Sequence, residues 1–256
     1  MQAPTKIAVA GGTGRVGRHL VDVLRERGRD VVPMSRTTGV DVVTGEGLAE
    51  ALDGVDVVID AATSPSPDQA EATAFFTAST DNLQELGQRA GVRRIVLVSI
   101  IGIDRFAGGY AAAKALQERA MLAGPIPVTI LRAAQFHEFV EQLVDWGRQG
   151  DVSYVPEMRT QLVAARTVAE ALVDLATGAA ETPPAGAPIP EIAGPREESL
   201  VEAARKLAAQ SGNGLRIEQG DWGEPDGGLY RDGAALPSPH AQPAGPTFEE
   251  WLGQSS

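Results

Sequence analysis

Residues Lys6 to Leu24 read KIAVAGGTGRVGRHLVDVL. Ile7-Ala8-Val9-Ala10 is a short apolar run of β character, and Val16, Leu20, Val23 and Leu24 recur behind it at helical spacing. Between the two, Gly11, Gly14 and Gly17 spell G-x-x-G-x-x-G. In a strand–turn–helix setting each glycine has its own role. The first permits the tight turn, the second lets the backbone approach a pyrophosphate, and the third lets the helix lie close to the sheet. The helix N-terminus then offers N–H groups and a positive dipole end to the phosphates. Thr13, Arg15 and Val16 complete this candidate phosphate loop. With 29 glycines in 256 residues the bare spacing arises by chance roughly 0.3–0.4 times. The setting therefore decides, and it is a β-type run ahead, a helical pattern behind, and further alternation downstream.

Working outward, Asp30–Ser35 reads as a second strand, Asp41–Val43 as a short extended piece and Gly47–Leu52 as a short helix. Val55–Ala62 (VDVVIDAA) is almost wholly apolar, as a strand covered on both faces should be. Asp68–Ala90 is a long helix, Arg94–Ile101 a fourth strand, Tyr110–Leu122 a helix and Val128–Ala134 a fifth strand. This alternation predicts right-handed β-α-β units and an α/β, Rossmann-type doubly wound parallel sheet. Residues 1–134 form the expected dinucleotide-binding core. Residues 135–256 complete it and add a small C-terminal substrate-side cap, the whole being a single domain. In that second half Phe136–Arg148 and Thr167–Leu175 are helical in pattern, the latter opened by a Thr167/Glu170 capping box. Pro-rich Thr182–Pro195, a capped helix from Ser199 to Ala209 and a short strand at Leu215–Gln219 follow. Gly220–Pro246 reads as a long loop, functional or mobile in type, before a last capping box in Thr247–Leu252.

Composition narrows the function classes. With no cysteine, disulfides, thiolate metal sites and a cysteine nucleophile are excluded. His19, His137 and His240 are far apart, so no metal site is expected. A formal net charge of −12 repels phosphate backbones and anionic lipid, which argues against nucleic acid and membrane as partners. No N-terminal signal pattern is legible and the longest apolar runs are too short to span a bilayer, so a cytoplasmic monomer or homodimer acting on a small molecule is expected.

The end of the second strand distinguishes the two nicotinamide dinucleotides: a carboxylate there suits the ribose 2′-OH of NAD, an arginine the 2′-phosphate of NADP. This strand ends Met34-Ser35-Arg36, with a guanidinium, a hydroxyl and no carboxylate, and Arg15 supplies a second cation. NADP(H) is the preferred cofactor, with NAD(H) as the other candidate if Arg36 is a solvated turn residue. Asp41 and Val42 are candidates to flank the adenine, and Ala61, Ala62 and Thr63 to line the cofactor at the sheet edge; each also reads as core or loop.

Tyr110-Ala-Ala-Ala-Lys114 is the more specific signal. The chain has three tyrosines and three lysines, so this spacing arises by chance only about 0.04 times. Four residues place both side chains on one helical face, and Ser99 ends the preceding strand. A glycine turn, a strand-ending serine and a Tyr-x-x-x-Lys helix together resemble the short-chain dehydrogenase/reductase superfamily. GGTGRVG, LVSIIGIDR and ILRAAQFHEF resemble its atypical, NmrA-like NAD(P)-binding branch, over most of the chain and most strongly from Ile7 to Phe139. The resemblance implies a nicotinamide cofactor and a catalytic trio of Ser99, Tyr110 and Lys114, with Lys114 also touching the cofactor. The chemistry suits them. A phenol protonates the alkoxide left by hydride addition, a neighbouring ammonium lowers the phenol's pKa, and a serine hydroxyl supplies a second hydrogen bond. Only ten residues separate Ser99 from Tyr110, fewer than is usual in the superfamily, and in the NmrA-like branch the tyrosine is often missing or unused. Gln135, Phe136 and His137, after the fifth strand, are substrate-pocket candidates, though a histidine between phenylalanines also suits plain packing.

Three readings follow. The first is an NADP(H)-dependent oxidoreductase reducing a carbonyl, quinone or enone. The second is a non-catalytic redox sensor of NmrA type, and the third a sugar-nucleotide epimerase or dehydratase.

Overall fold

The computed structural model describes residues 5–178, 186–221, 223 and 226–254. In chain order the elements are β1 (Lys6–Ala10), α1 (Arg15–Glu26), β2 (Asp30–Met34), a 3-10 turn at Arg36–Thr38, α2 (Leu48–Ala51), β3 (Val57–Asp60), α3 (Gln69–Ala90) and β4 (Arg94–Ile100). They continue as α4 (Gly109–Ala123), β5 (Val128–Ala133), α5 (His137–Trp146), β6 (Arg148–Gln149), β7 (Val152–Pro156), β8 (Arg159–Thr160) and α6 (Ala165–Thr177). The last are β9 (Glu191–Ala193), β10 (Glu198–Ser199), α7 (Leu200–Ser211), β11 (Arg216–Gly220), α8 (Gly227–Arg231), β12 (Gln242–Pro243) and α9 (Phe248–Gln254).

The main sheet has seven strands in the order β12-β9-β5-β4-β3-β1-β2, paired in parallel. β2 is an edge strand, which is where its Pro33 costs no ladder bond. The order reverses at β1, with β2 on one side and β3 on the other. In a doubly wound sheet that reversal opens a crevice at the carboxyl ends of the two strands, where ligands bind.

The chain divides into two compact units. One comprises Met1–Ser99, Gly109–Leu131 and Val168–Ile189; the other comprises Ile100–Gly108, Arg132–Thr167 and Pro190–Ser256. In the first, β1 and β3 are buried along nearly their whole length. Their Ala8 and Val58 pack with Met34, Leu83, Ile95 and Leu97 in one core. The long helix α3 starts where the Asp68 carboxylate accepts the Glu71 N–H (3.0 Å) and stops at Gly91, whose left-handed φ of 82° suits glycine. In the second unit Val140, Leu143, Val155, Leu162, Leu200 and Phe248 form a separate core beside the sheets β11-β7-β6 and β10-β8.

Three local expectations need correction. Asp41–Val43 is a turn, not an extended piece: the Asp41 carboxylate accepts the Val43 N–H (2.8 Å) and folds the chain back, overriding the β preference of two valines. The Thr167/Glu170 pair does not open α6, which begins at Ala165; its first amide is capped instead by the Glu138 carboxylate from α5 (3.1 Å). Gly220–Pro246 is not one loop, since it contains α8 and β12. Of that stretch Trp222, Glu224 and Pro225 lie outside the described residues, as do Thr182–Ala185 of the Pro-rich stretch.

Candidate functional site

The crevice begins at the glycine turn. Gly11 has φ +73°, and a Cβ there would lie 2.7 Å from the Ala61 carbonyl oxygen, so both its conformation and the nearby end of β3 demand glycine. At Gly17 a Cβ would fall 1.9 Å from the Gly11 oxygen, which is the close helix approach the motif implies. Gly14 differs. Its φ of −75° is open to any residue, and a Cβ would meet only the Gly11 oxygen, at 3.1 Å. Two glycines are thus required by the protein itself, whereas Gly14 leaves room beside the turn.

Gly14 is also the N-cap of α1. It has no side chain to cap with, and no acidic residue occupies the first turn. First-turn amides have no intrahelical acceptor, so this end is oriented for a phosphate. These residues fit a dinucleotide. The Gly12 and Gly14 amides are held by the Met34 and Gly11 carbonyls, so the amides of Thr13 and of Arg15 to Gly17 would hold the pyrophosphate, Val16 only so because its side chain is buried, while Thr13 is exposed beside it.

The 2′-phosphate candidates separate. Ser35 is spent locally: its amide donates to Thr38 Oγ1 (2.9 Å) and its hydroxyl pairs with Thr37 Oγ1 (2.9 Å). Arg36 is exposed, and no acidic group among the described residues engages its guanidinium. The Asp41 carboxylate is occupied by its own turn, and Val42 is buried in the core with its carbonyl held by Asn82 (2.9 Å), so Val42 offers little wall to an adenine.

The Tyr-Lys helix adds a feature the motif did not announce. Lys114 Nζ donates to Gln117 Oε1 (2.6 Å), Gln117 Nε2 donates to Asp60 Oδ2 (3.1 Å), and Asp60 Oδ1 accepts the Ala62 N–H (3.0 Å). The ammonium also lies 4.8 Å from the centre of the Phe76 ring. Burial pulls Lys114 down to about 8, with Asp60 and Glu118 opposing, and pushes the Asp60 carboxyl up, with Lys114 opposing. Asp60 and Gln117 were missed in the sequence. The available signal was a carboxylate ending an otherwise apolar strand, and a glutamine three residues after Lys114 on the same helical face.

Tyr110 does not pair with Lys114 in the way the chemistry led one to expect. Its hydroxyl shares a 2.6 Å hydrogen bond with Thr63 Oγ1, and its ring meets Phe76 edge-on. Burial and the Asp60 carboxylate raise its pKa above the ordinary phenol value, with the Thr63 bond opposing, so the expected depression by Lys114 is corrected. Ser99 is buried, and its hydroxyl has no hydrogen-bond partner among the described residues, an orphaned group of the kind that a bound molecule satisfies. The structure therefore links Thr63 to Tyr110 and Asp60 to Lys114, and joins none of the trio directly to another.

The pocket candidates in the second unit fare differently. His137 is wholly buried: Nε2 lies 3.1 Å from the Pro246 carbonyl oxygen, and the ring packs on Phe248 and Trp251. Burial pulls its pKa to about 4, which favours a neutral ring, and its Nδ1 has no hydrogen-bond partner among the described residues; with no exposed surface, His137 is placed as a packing residue and not on a pocket wall. Gln135 and Phe136 are half-buried with their backbones bridged to Val163. Among the described residues no three His, Asp or Glu side chains are grouped to hold a metal, and no helix is long and apolar enough to cross a membrane.

A family model described as NAD(P)H-binding matches residues 11–178. The photosystem II assembly factor Ycf39 of Synechocystis sp. (strain ATCC 27184 / PCC 6803 / Kazusa) is 27% identical over 238 residues, 84% of this chain and 70% of that protein. The 3 beta-hydroxysteroid dehydrogenase/Delta 5-->4-isomerase of Mycobacterium tuberculosis (strain CDC 1551 / Oshkosh) is 28% identical over 156 residues, 46% of this chain and 42% of that enzyme. Among solved structures, MoeE5 in complex with UDP-glucose and NAD superposes with a TM-score of 0.68 at 20% identity, over 98% of this chain and 99% of that one, a likeness of fold.

Proposed function

We propose, because this chain belongs to the NAD(P)H-binding family and has the fold of an atypical short-chain dehydrogenase/reductase, that it is an NADP(H)-dependent oxidoreductase reducing a carbonyl, quinone or enone of a small organic molecule. The observation that carries this reading is the placement, within one unit, of a phosphate-ready glycine turn, a buried ammonium at Lys114 and the phenol of Tyr110. Bound nicotinamide supplies the hydride. Lys114 contacts the cofactor ribose, Tyr110 delivers a proton to the substrate oxygen as charge develops there, and the unpartnered Ser99 hydroxyl donates the second hydrogen bond to it. The deciding experiment mixes purified protein, NADPH and a panel of quinones and ketones, with oxidation followed by nicotinamide absorbance. Absence of any turnover, with NADPH still bound, would favour a non-catalytic sensor. That second reading draws its support from the engagement of the Tyr110 hydroxyl by Thr63.

NADPH is proposed over NADH because Arg36 is exposed and has no internal acidic partner among the described residues. Arg36→Ala is expected to weaken NADPH by about 1.5–3 kcal/mol, the worth of a hydrogen bond to a charged group, which is roughly 10- to 150-fold in Kd. NADH affinity should hold within about twofold. Equal losses for both coenzymes in fluorescence titrations would assign Arg36 to the solvated turn.

A further inference from the structure

We propose that Asp60 and Gln117 are positioning residues that keep the Lys114 ammonium charged and fix where its nitrogen sits. The geometry is directional. An ammonium has only donors, so it takes the Gln117 Oε1 (2.6 Å) and leaves Gln117 only its N–H groups for Asp60 (3.1 Å). Asp60 can accept that bond because its other oxygen is already bound to the Ala62 amide (3.0 Å), just beyond the end of β3. Every group between the Ala62 amide and the ammonium is thus assigned one role, and no amide flip satisfies both ends. Asp60 and Gln117 are 0% and 1% exposed, so water cannot replace either as a partner without opening the core.

The same chain ties the ammonium to the dinucleotide crevice. Ala61 and Ala62 lie against Gly11, where an added Cβ would come within 2.9 Å of the Ala62 Cα. A buried ammonium loses its hydration and is retained as a cation only by compensating charge and acceptors. Around Lys114 the titratable groups are Asp60 on β3 and Glu118 and Tyr110 on α4, while α3 presents the Phe76 ring. Of the two carboxylates Asp60 acts on Lys114 the more strongly and is the one connected to it through a fixed bridge. The functional consequence rests on the proposed contact of Lys114 with the cofactor. Where that contact needs the ammonium, affinity is full below the Lys114 pKa and falls as pH rises through about 8.

The chain contains three lysines, Lys6, Lys114 and Lys206, so side-chain carbon NMR of lysine-labelled protein resolves each titration, and Lys114→Met assigns the signal. In the unmodified protein Lys114 should titrate below the ordinary lysine value. Asp60→Asn removes the charge and forces a donor against a donor somewhere in the chain, and should move the Lys114 midpoint down by roughly one pH unit. Gln117→Glu sets a carboxylate directly on Nζ and should move it up. Opposite displacements support the proposal. No displacement, or displacements of the same sign accompanying a general loss of stability, would overturn it and leave an ordinary core network. Should Asp60→Asn fail to fold, the upward shift in Gln117→Glu carries the test alone, and its absence overturns the proposal. NADPH titrations of the same proteins from pH 6 to 9 are read separately. An affinity that ignores the Lys114 midpoint would refute the cofactor contact while leaving the NMR result to decide the positioning roles.

Discussion

Gly14→Val is expected to give a folded protein that no longer binds NADPH or NADH. The backbone there has φ −75°, which valine adopts without strain, and the one close neighbour of a Cβ is the Gly11 oxygen at 3.1 Å, so a shift of a few tenths of an ångström accommodates it. The isopropyl group would nevertheless stand at the mouth of the α1 N-terminus, where a pyrophosphate must come within hydrogen-bond distance of the amides. Each amide-to-phosphate bond is a charge-assisted one worth about 1.5–3 kcal/mol, so losing two weakens binding by at least ~10²-fold. Gly17→Ala is the contrasting control. Its Cβ would fall 1.9 Å from the Gly11 oxygen, so it should fail by losing stability, with a clear drop in Tm before any ligand is added. In thermal melts the wild type should gain Tm with NADPH, Gly14→Val should melt near the wild-type apo temperature and gain nothing, and Gly17→Ala should melt early. A Gly14→Val protein with wild-type NADPH affinity would remove the phosphate assignment from this turn.

The contrast between those glycines shows what a sequence can and cannot disclose. The turn was legible because three glycines at fixed spacing between a strand and a helix have few uses, and β3 was legible because an almost wholly apolar run has few places to go. The separate tasks of the three glycines were also legible from the motif, but that Gly11 is pinned by the Ala61 carbonyl, fifty residues away, was not. The same holds for Asp60. Read along the chain it is one carboxylate at the end of a buried strand; its meaning depends on Gln117, brought to it by the packing of α4. Local motifs also misled where a distant group competed for the same position. Thr167 and Glu170 have capping-box spacing, but the α6 N-terminus is satisfied by Glu138, which lets the helix begin at Ala165. His137 stands where the fold often presents a substrate-facing residue, yet the C-terminal aromatics Phe248 and Trp251 enclose it.

Tyr110→Phe is expected to lower turnover by roughly 10²–10⁴, the usual worth of a positioned proton donor, while leaving NADPH affinity within about twofold. The substitution keeps the ring and its edge contact with Phe76 and removes only the hydroxyl. Thr63 loses its 2.6 Å partner, but Thr63 is exposed, so water takes the vacated bond and Tm should barely move. A loss of rate is then a loss of chemistry. The upward displacement of the phenol's pKa sets the sign of the pH dependence. A tyrosine that stays protonated throughout the neutral and mildly alkaline range is available as an acid, and an alkoxide is basic enough to take its proton. Reduction should therefore show no Tyr110-dependent fall between pH 6 and 9. The reverse oxidation needs the phenolate as base and should be slow at neutral pH, rising with alkalinity until the falling Lys114 charge opposes it. Tyr110→Phe should abolish that alkaline rise as well as the forward rate. An active enzyme indifferent to the substitution in both directions would move proton delivery to Ser99 or solvent, and the shared bond with Thr63 would then be a structural tie between the end of β3 and the start of α4.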